Sequence, residues 1–282
     1  MNKSENIELV VTDLDGTLIH DRKMHPKDKK SAEKVISSGI PIIPATTRMR
    51  YSSAKLIQDL PICDYPIICQ NGARVVGPGW GNGYDHKDWH ETRLEYEIAE
   101  PISRYADERD YAMTTVFKEK KYWVREGSQN LGKHPHDEAA WIVKKNSDAL
   151  KDGLPVNFMI HDDRNSLEGM RDLLNYVKYN FNNQVRIDKH HRLGKWMALT
   201  VYPSGTSKLN ALKVVCDRLD ISMENILAIG DDEVDYELIK EAGIGIAMGD
   251  APEEVKEVAS DIAPDCTKQG FSWAMYNYLL NK

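Results

Sequence analysis

Short runs of consecutive apolar residues, each ending abruptly in polar residues or glycine, recur near both ends of the chain. Leu9-Val10-Val11 runs into Asp13-Leu14-Asp15-Gly16-Thr17. Ile40 to Pro44 runs into Ala45-Thr46-Thr47-Arg48, and Pro66-Ile67-Ile68-Cys69 into Asn71-Gly72. Runs this short and apolar on both faces predict buried strands. Helical patterns lie between them. Pro26 to Ser38 has proline at its start, apolar points at Ala32 and Val35-Ile36, and Gly39 as its stop; Ser52 to Leu60 follows. The rhythm returns late in the chain: helix Ser207 to Leu219, strand Ile226 to Ile229, helix Asp235 to Ala242, strand Ile244 to Met248 and helix Glu253 to Ala259. Strands alternating with helices predict a parallel sheet with right-handed crossovers. In such sheets the loops at the strand ends carry the chemistry.

From about Gly83 to Tyr202 the texture changes. Trp89, Trp123, Trp141 and Trp196 lie here, with most of the histidines. Alternation such as Lys121-Tyr122-Trp123-Val124-Arg125 predicts strands with one wet face, hence an antiparallel sheet. The expected organisation is one α/β core made by residues 1–83 and 203–282, with residues 84–202 inserted as a second domain.

Composition narrows the function. The 282 residues carry a net charge of −7, and a nucleic-acid partner would want a basic surface. The four cysteines, Cys63, Cys69, Cys216 and Cys266, show no zinc spacing and read as reduced thiols. No apolar run reaches the roughly 20 residues of a membrane span, and none has the form of a signal peptide, so a cytoplasmic protein without a membrane partner is expected.

Asp13 and Asp15 stand two residues apart at the end of a buried strand. A carboxylate attacks a phosphate ester poorly, because two unit charges about 4 Å apart repel by roughly 4 kcal/mol at an effective dielectric near 20. A divalent cation removes that repulsion. One aspartate then attacks phosphorus while the other protonates the leaving oxygen. Gly16 permits the turn that brings both side chains to one point. Gly230-Asp231-Asp232-Glu233-Val234-Asp235 ends a second apolar strand. Clustered acids there repel each other unless a cation is held, and oxygen ligands favour magnesium; the same acids would otherwise cap the next helix. Lys208, in a helix's first turn, can offset charge on nucleophile and phosphate. Thr46 can donate a hydroxyl hydrogen bond to a phosphoryl oxygen.

In this order the pieces resemble the haloacid dehalogenase superfamily, and within it the Cof-type phosphatases with a class IIB cap. Asp13-Leu14-Asp15-Gly16-Thr17-Leu18 matches that family's D-x-D-G-T-L, and Ala45-Thr46-Thr47-Arg48 is similar to its A-T-G-R. Gln70-Asn71-Gly72-Ala73, Ser207-Lys208, Gly230-Asp231 with Asp235, and Ala247-Met248-Gly249-Asp250-Ala251 follow the rest. The resemblance covers about half the chain. It implies a Rossmann-like parallel-sheet core with an inserted α+β cap domain, and a Mg2+-dependent phosphomonoester hydrolase acting on a small phosphorylated metabolite such as a sugar phosphate.

Residue by residue it implies Asp13 as nucleophile, passing through an aspartyl-phosphate, and as metal ligand. Asp15 becomes acid/base with its carbonyl on the metal. Thr46, Thr47 and Lys208 would bind the phosphoryl group, with Asn71 at the rim of the site. Asp231 would be a metal ligand and Asp235 a ligand or its partner. Three positions depart from the family: Thr47 for glycine, Val234 for asparagine and Asp250 for a frequent asparagine. A sugar phosphomutase shares this core and cap, and a non-catalytic phosphometabolite-binding regulator would share the fold; the intact Asp15 speaks against the regulator. In the insert, His134-Pro135-His136-Asp137-Glu138 lacks the spacing of a helical metal pair and reads as a polar loop. The basic residues Arg186, Lys189, His190, His191, Arg192 and Lys195 read as a solvated loop or a contact for an anionic leaving group.

Overall fold

The computed structural model of the chain describes residues 6–81, 87–117, 122–126, 140–162, 166–192 and 195–281. The apolar runs become strands of one five-stranded sheet in the order Asp261–Ile262, Ile244–Ala247, Ile226–Gly230, Leu9–Thr12, Ile42–Pro44. Every neighbouring pair is parallel. Leu9–Thr12 sits near the middle and is buried throughout. Its side chains alternate, as a period of two requires. Leu9 and Val11 pack with Ala211, Leu212 and Val215 of the helix Lys208–Leu219. Val10 joins the opposite core with Ala32 and Val35 of the helix Pro26–Ser37 and Phe271 of the helix Gly270–Met275. Helices therefore cover both faces, the reason these strands need no polar side.

Two elements differ from the sequence expectation. Ile67–Cys69 is not a full member of the parallel sheet. It touches it through a single parallel bridge, Ala45 to Ile68, and otherwise pairs antiparallel with Arg74–Val76. The tight turn at Gln70–Gly72, where all three residues have positive φ, reverses the chain at once and prevents a crossover. Asp88–Glu91 then adds a third strand to this small sheet. Trp89 consequently packs with the core rather than with the insert, under the Arg218 guanidinium 5.2 Å from its ring.

The chain forms two compact units, Met1–His90 with Ser207–Lys282, and Glu91–Thr206. The second is built on a six-stranded sheet in the order Ala140–Val143, Tyr122–Arg125, Ala112–Val116, Asn157–His161, Lys195–Pro203, Val185–Arg192. It is mixed, not purely antiparallel, since Ala140–Val143 runs parallel to Tyr122–Arg125. Met113, Phe158, Ile160, Leu199 and Val201 meet the apolar stripes of two helices, Tyr96–Glu108 and Leu167–Phe181. Those stripes recur at helical spacing, as in Met170, Leu173, Leu174, Val177 and Phe181.

The basic run is a strand pair, not a loop, with backbone pairing from Val185–Pro203 to Arg192–Lys195. Arg186 is committed to Asp188 at 2.9 Å and to the Thr206 carbonyl at 3.0 Å. The side chains of His190, His191, Arg192, Lys195 and Trp196 lie outside the described residues, as do those of Trp123 and Trp141 and the whole segment His134 to Glu138. Among the described residues no helix is long and apolar enough to cross a membrane.

Candidate active site

The carboxyl ends of three adjacent parallel strands supply the polar residues. Asp13 follows Thr12, and its N–H donates to the Ile229 carbonyl at 2.9 Å. Asp231 follows Gly230 on the neighbouring strand. Ala45-Thr46 follows Pro44 on the other side, where the Ala45 N–H donates to the Thr12 carbonyl at 2.8 Å. The turn at Gly16 (φ 84°) carries Asp15 away from the strand, and a Cβ at Gly16 would lie 2.1 Å from an Asp231 oxygen. Glycine is required there for the backbone angle and for the close approach alike. Thr17 then donates its hydroxyl to Asp231 at 2.8 Å.

Lys208 is the first residue of its helix and is wholly buried, with Ser207 capping the helix through the Asn210 N–H. Its ammonium donates to Asp13 at 2.5 Å and to Asp235 at 2.7 Å. Gly72 (φ 93°) lets the backbone before this lysine approach closely, for a Cβ there would lie 2.1 Å from the Ser207 carbonyl oxygen. Asp235 is fully buried. One oxygen meets Lys208, and the other accepts from the N–H groups of Asp231 and Asp232 at 3.2 and 3.3 Å. Asp235 therefore braces the acidic loop as well as the lysine, while Asp232 caps the short turn Glu233–Asp235.

Asp13, Asp231 and Asp235 each offer an oxygen within 4.8 Å of the others. With all three carboxylates ionised, one ammonium would leave two negative charges uncompensated. Burial, opposed by Lys208 but reinforced by Asp235, raises the Asp13 carboxyl to about 7. Burial, then the charges of Asp13 and Asp235, raise Asp231 to about 8. Burial alone would lower Lys208, but its two aspartates outweigh that and hold it above its ordinary value. An all-oxygen donor set with a surplus of two charges fits a divalent cation of the magnesium type.

The other expected residues divide. Thr46 is buried; its hydroxyl oxygen accepts from the Arg48 N–H at 3.1 Å, leaving its hydrogen for another acceptor. Thr47 is exposed. Asn71 is not at a rim: it is fully buried, and its N–H braces the Thr46 carbonyl at 3.0 Å. Asp15 is not gathered with the other three acids. Both its oxygens are held by Arg48, from Nε to one and from Nη2 to the other at 2.6 Å. Arg48 ends the Ala45-Thr46-Thr47-Arg48 motif, where nothing local reveals a pairing across 33 positions. Gln70 was also missed. It is 1% exposed, and neither amide atom has a partner among the described residues. Its signal is the left-handed backbone (φ 52°) in a non-glycine residue beside a candidate site.

The description haloacid dehalogenase-like hydrolase fits residues 10–275. The chain is 25% identical over 278 residues to the 5-amino-6-(5-phospho-D-ribitylamino)uracil phosphatase YcsE of Bacillus subtilis (strain 168), a match spanning 98% of this chain and 97% of that one. The crystal structure of TM0651 from Thermotoga maritima has the same fold, with a TM-score of 0.81 at 23% identity over 96% of this chain and 97% of that one. So does the HAD subclass IIB sugar phosphatase BT4131, at 0.79 and 18% identity over 97% and 99%.

Proposed function

Because this chain belongs to the haloacid dehalogenase-like hydrolases and is an enzyme of their phosphatase type, we propose that it is a Mg2+-dependent phosphomonoesterase working through Asp13. The gathering of Asp13, Asp231 and Asp235 within reach of one cation, with a buried ammonium bonded to Asp13 and Asp235, carries this reading. Asp13, Asp231 and the Asp15 carbonyl would hold the cation, with Asp235 as ligand or brace. When bound, the metal neutralises the acids and draws charge from the phosphoryl oxygens.

The residues divide the work. Asp13 attacks phosphorus, forming an aspartyl-phosphate, while Asp15, once off Arg48 and protonated from solvent, gives that proton to the departing oxygen. Asp15 then takes a proton from water as the water attacks that phosphorus; phosphate leaves and Asp13 is regenerated. Lys208 offsets charge on Asp13 and the phosphoryl group, and Thr46 donates its hydroxyl hydrogen to a phosphoryl oxygen. The unit Glu91–Thr206 would set the choice of leaving group, a sugar phosphate or related small metabolite. Phosphate release from a panel of phosphorylated metabolites with magnesium tests this. Asp13→Asn should release none from the esters the wild type hydrolyses, and turnover by that variant would remove the mechanism.

A further inference from the structure

We propose that Arg48 is an anion ligand which the resting enzyme parks on Asp15 and which an incoming phosphoryl group takes over. The inference rests on the phosphatase reading only for the identity of that anion. The fork from Arg48 occupies both oxygens of Asp15. An acid/base at the leaving oxygen needs at least one of them free, so the resting arrangement differs from the working one.

The fork is open to solvent. The Arg48 and Asp15 side chains are 24% and 45% exposed, so an arriving anion or water can take the place of either partner. Lys208, by contrast, is shut in, with two of its three donors bonded to Asp13 and Asp235. Arg48 also sits where a phosphoryl group would arrive. Its N–H bonds the Thr46 hydroxyl oxygen, its carbonyl accepts from the Gln70 N–H at 2.9 Å, and the charge of Asp13 adds to that of Asp15 in holding its proton. The backbone is thus pinned from two sides while the guanidinium can swing. A guanidinium fork can bridge two oxygens of a tetrahedral phosphoryl group as it bridges the two of a planar carboxylate, and the phosphoryl group carries more charge.

The test is a double-mutant cycle on binding of inorganic phosphate, measured calorimetrically with magnesium, using wild type, R48Q, D15N and the double variant. R48Q should weaken phosphate roughly ten- to hundred-fold, the usual worth of a charge-assisted hydrogen bond. D15N should tighten phosphate, and by more when Arg48 is present, because there it removes repulsion and also frees the guanidinium. If Arg48 merely screens Asp15, the order reverses: D15N tightens binding more in the R48Q background.

That reversed order, equal effects in both backgrounds, or an unchanged affinity in R48Q would each overturn the exchange. R48K keeps the charge without the fork and should bind with intermediate affinity; it carries the same cycle if R48Q does not fold. A folded wild type that binds no phosphate at all would sink the phosphatase reading together with the exchange. Binding with the wrong sign of coupling sinks the exchange alone.

Discussion

At the scale of single residues, Lys208 and Asp15 make contrasting demands. Lys208 is the one cation paired with two buried carboxylates, so removing it leaves them without compensation. We expect Lys208→Met to lose phosphatase activity and about 3–5 kcal/mol of stability without metal, the usual cost of breaking a buried pair. Denaturant unfolding of the metal-free protein measures it, and an undiminished midpoint would mean the ammonium is dispensable. Asp15→Asn should fold normally but turn over roughly 10²–10⁴-fold more slowly. The loss should be smaller for p-nitrophenyl phosphate, whose leaving group needs no proton, than for an alkyl phosphate; equal losses would argue against an acid/base. That Asp13, Asp231 and Asp235 come together could be read from the sequence because each closely follows an apolar run, and Lys208 stands out because it opens a helix. Arg48 on Asp15 and the buried Gln70 could not be read there, since their partners or lack of them depend on how distant loops meet.

At the scale of elements, the first helix of the core and the last are joined by one buried carboxylate. Asp28, in the first turn of Pro26–Ser37, accepts from the N–H and hydroxyl of Ser272 at 2.9 and 2.7 Å, so it caps the helix Gly270–Met275 from 244 positions away. Burial raises its carboxyl above the ordinary value, against the pull of Ser272. The native state therefore holds this proton more tightly than the unfolded chain does. The stabilisation is full below the ordinary carboxylate value of about 4 and is lost as pH rises through the raised one. Asp28→Asn keeps an acceptor for Ser272 and discards the charge, so its stability relative to wild type should grow as pH rises from about 4 to neutral. Denaturant midpoints across that range check the sign; a difference that grows as pH falls would be the wrong one.

Most elements of the core could be read from apolar runs and helical spacing alone. Ile67–Cys69 misled, because its own residues fit a buried parallel strand and only the left-handed turn after it sends the chain back. Asp88–Glu91 was hidden for another reason: its polar residues read as part of the insert, whereas it is the outer strand of a small sheet.

At the scale of the whole molecule, the change of texture along the chain suggests one unit interrupting another, and the two compact units have edges of their own. They fall at His90 and Ser207 because the last strand before the insert belongs to the first unit's small sheet. The core of Glu91–Thr206 is made from its own residues. The isolated fragment 91–206 should therefore unfold cooperatively by circular dichroism; a broad, non-cooperative transition would show that it depends on the rest of the chain. Intact enzyme should lose all turnover in excess chelator and recover little with calcium, whose looser coordination misplaces the reacting groups. The account as a whole turns on a covalent step at Asp13. Enzyme mixed with substrate and magnesium, quenched in acid within one turnover and digested, should carry one phosphoryl group on the peptide containing Asp13. Product formed at the normal rate with that peptide unmodified, or with the label on another residue, would contradict it.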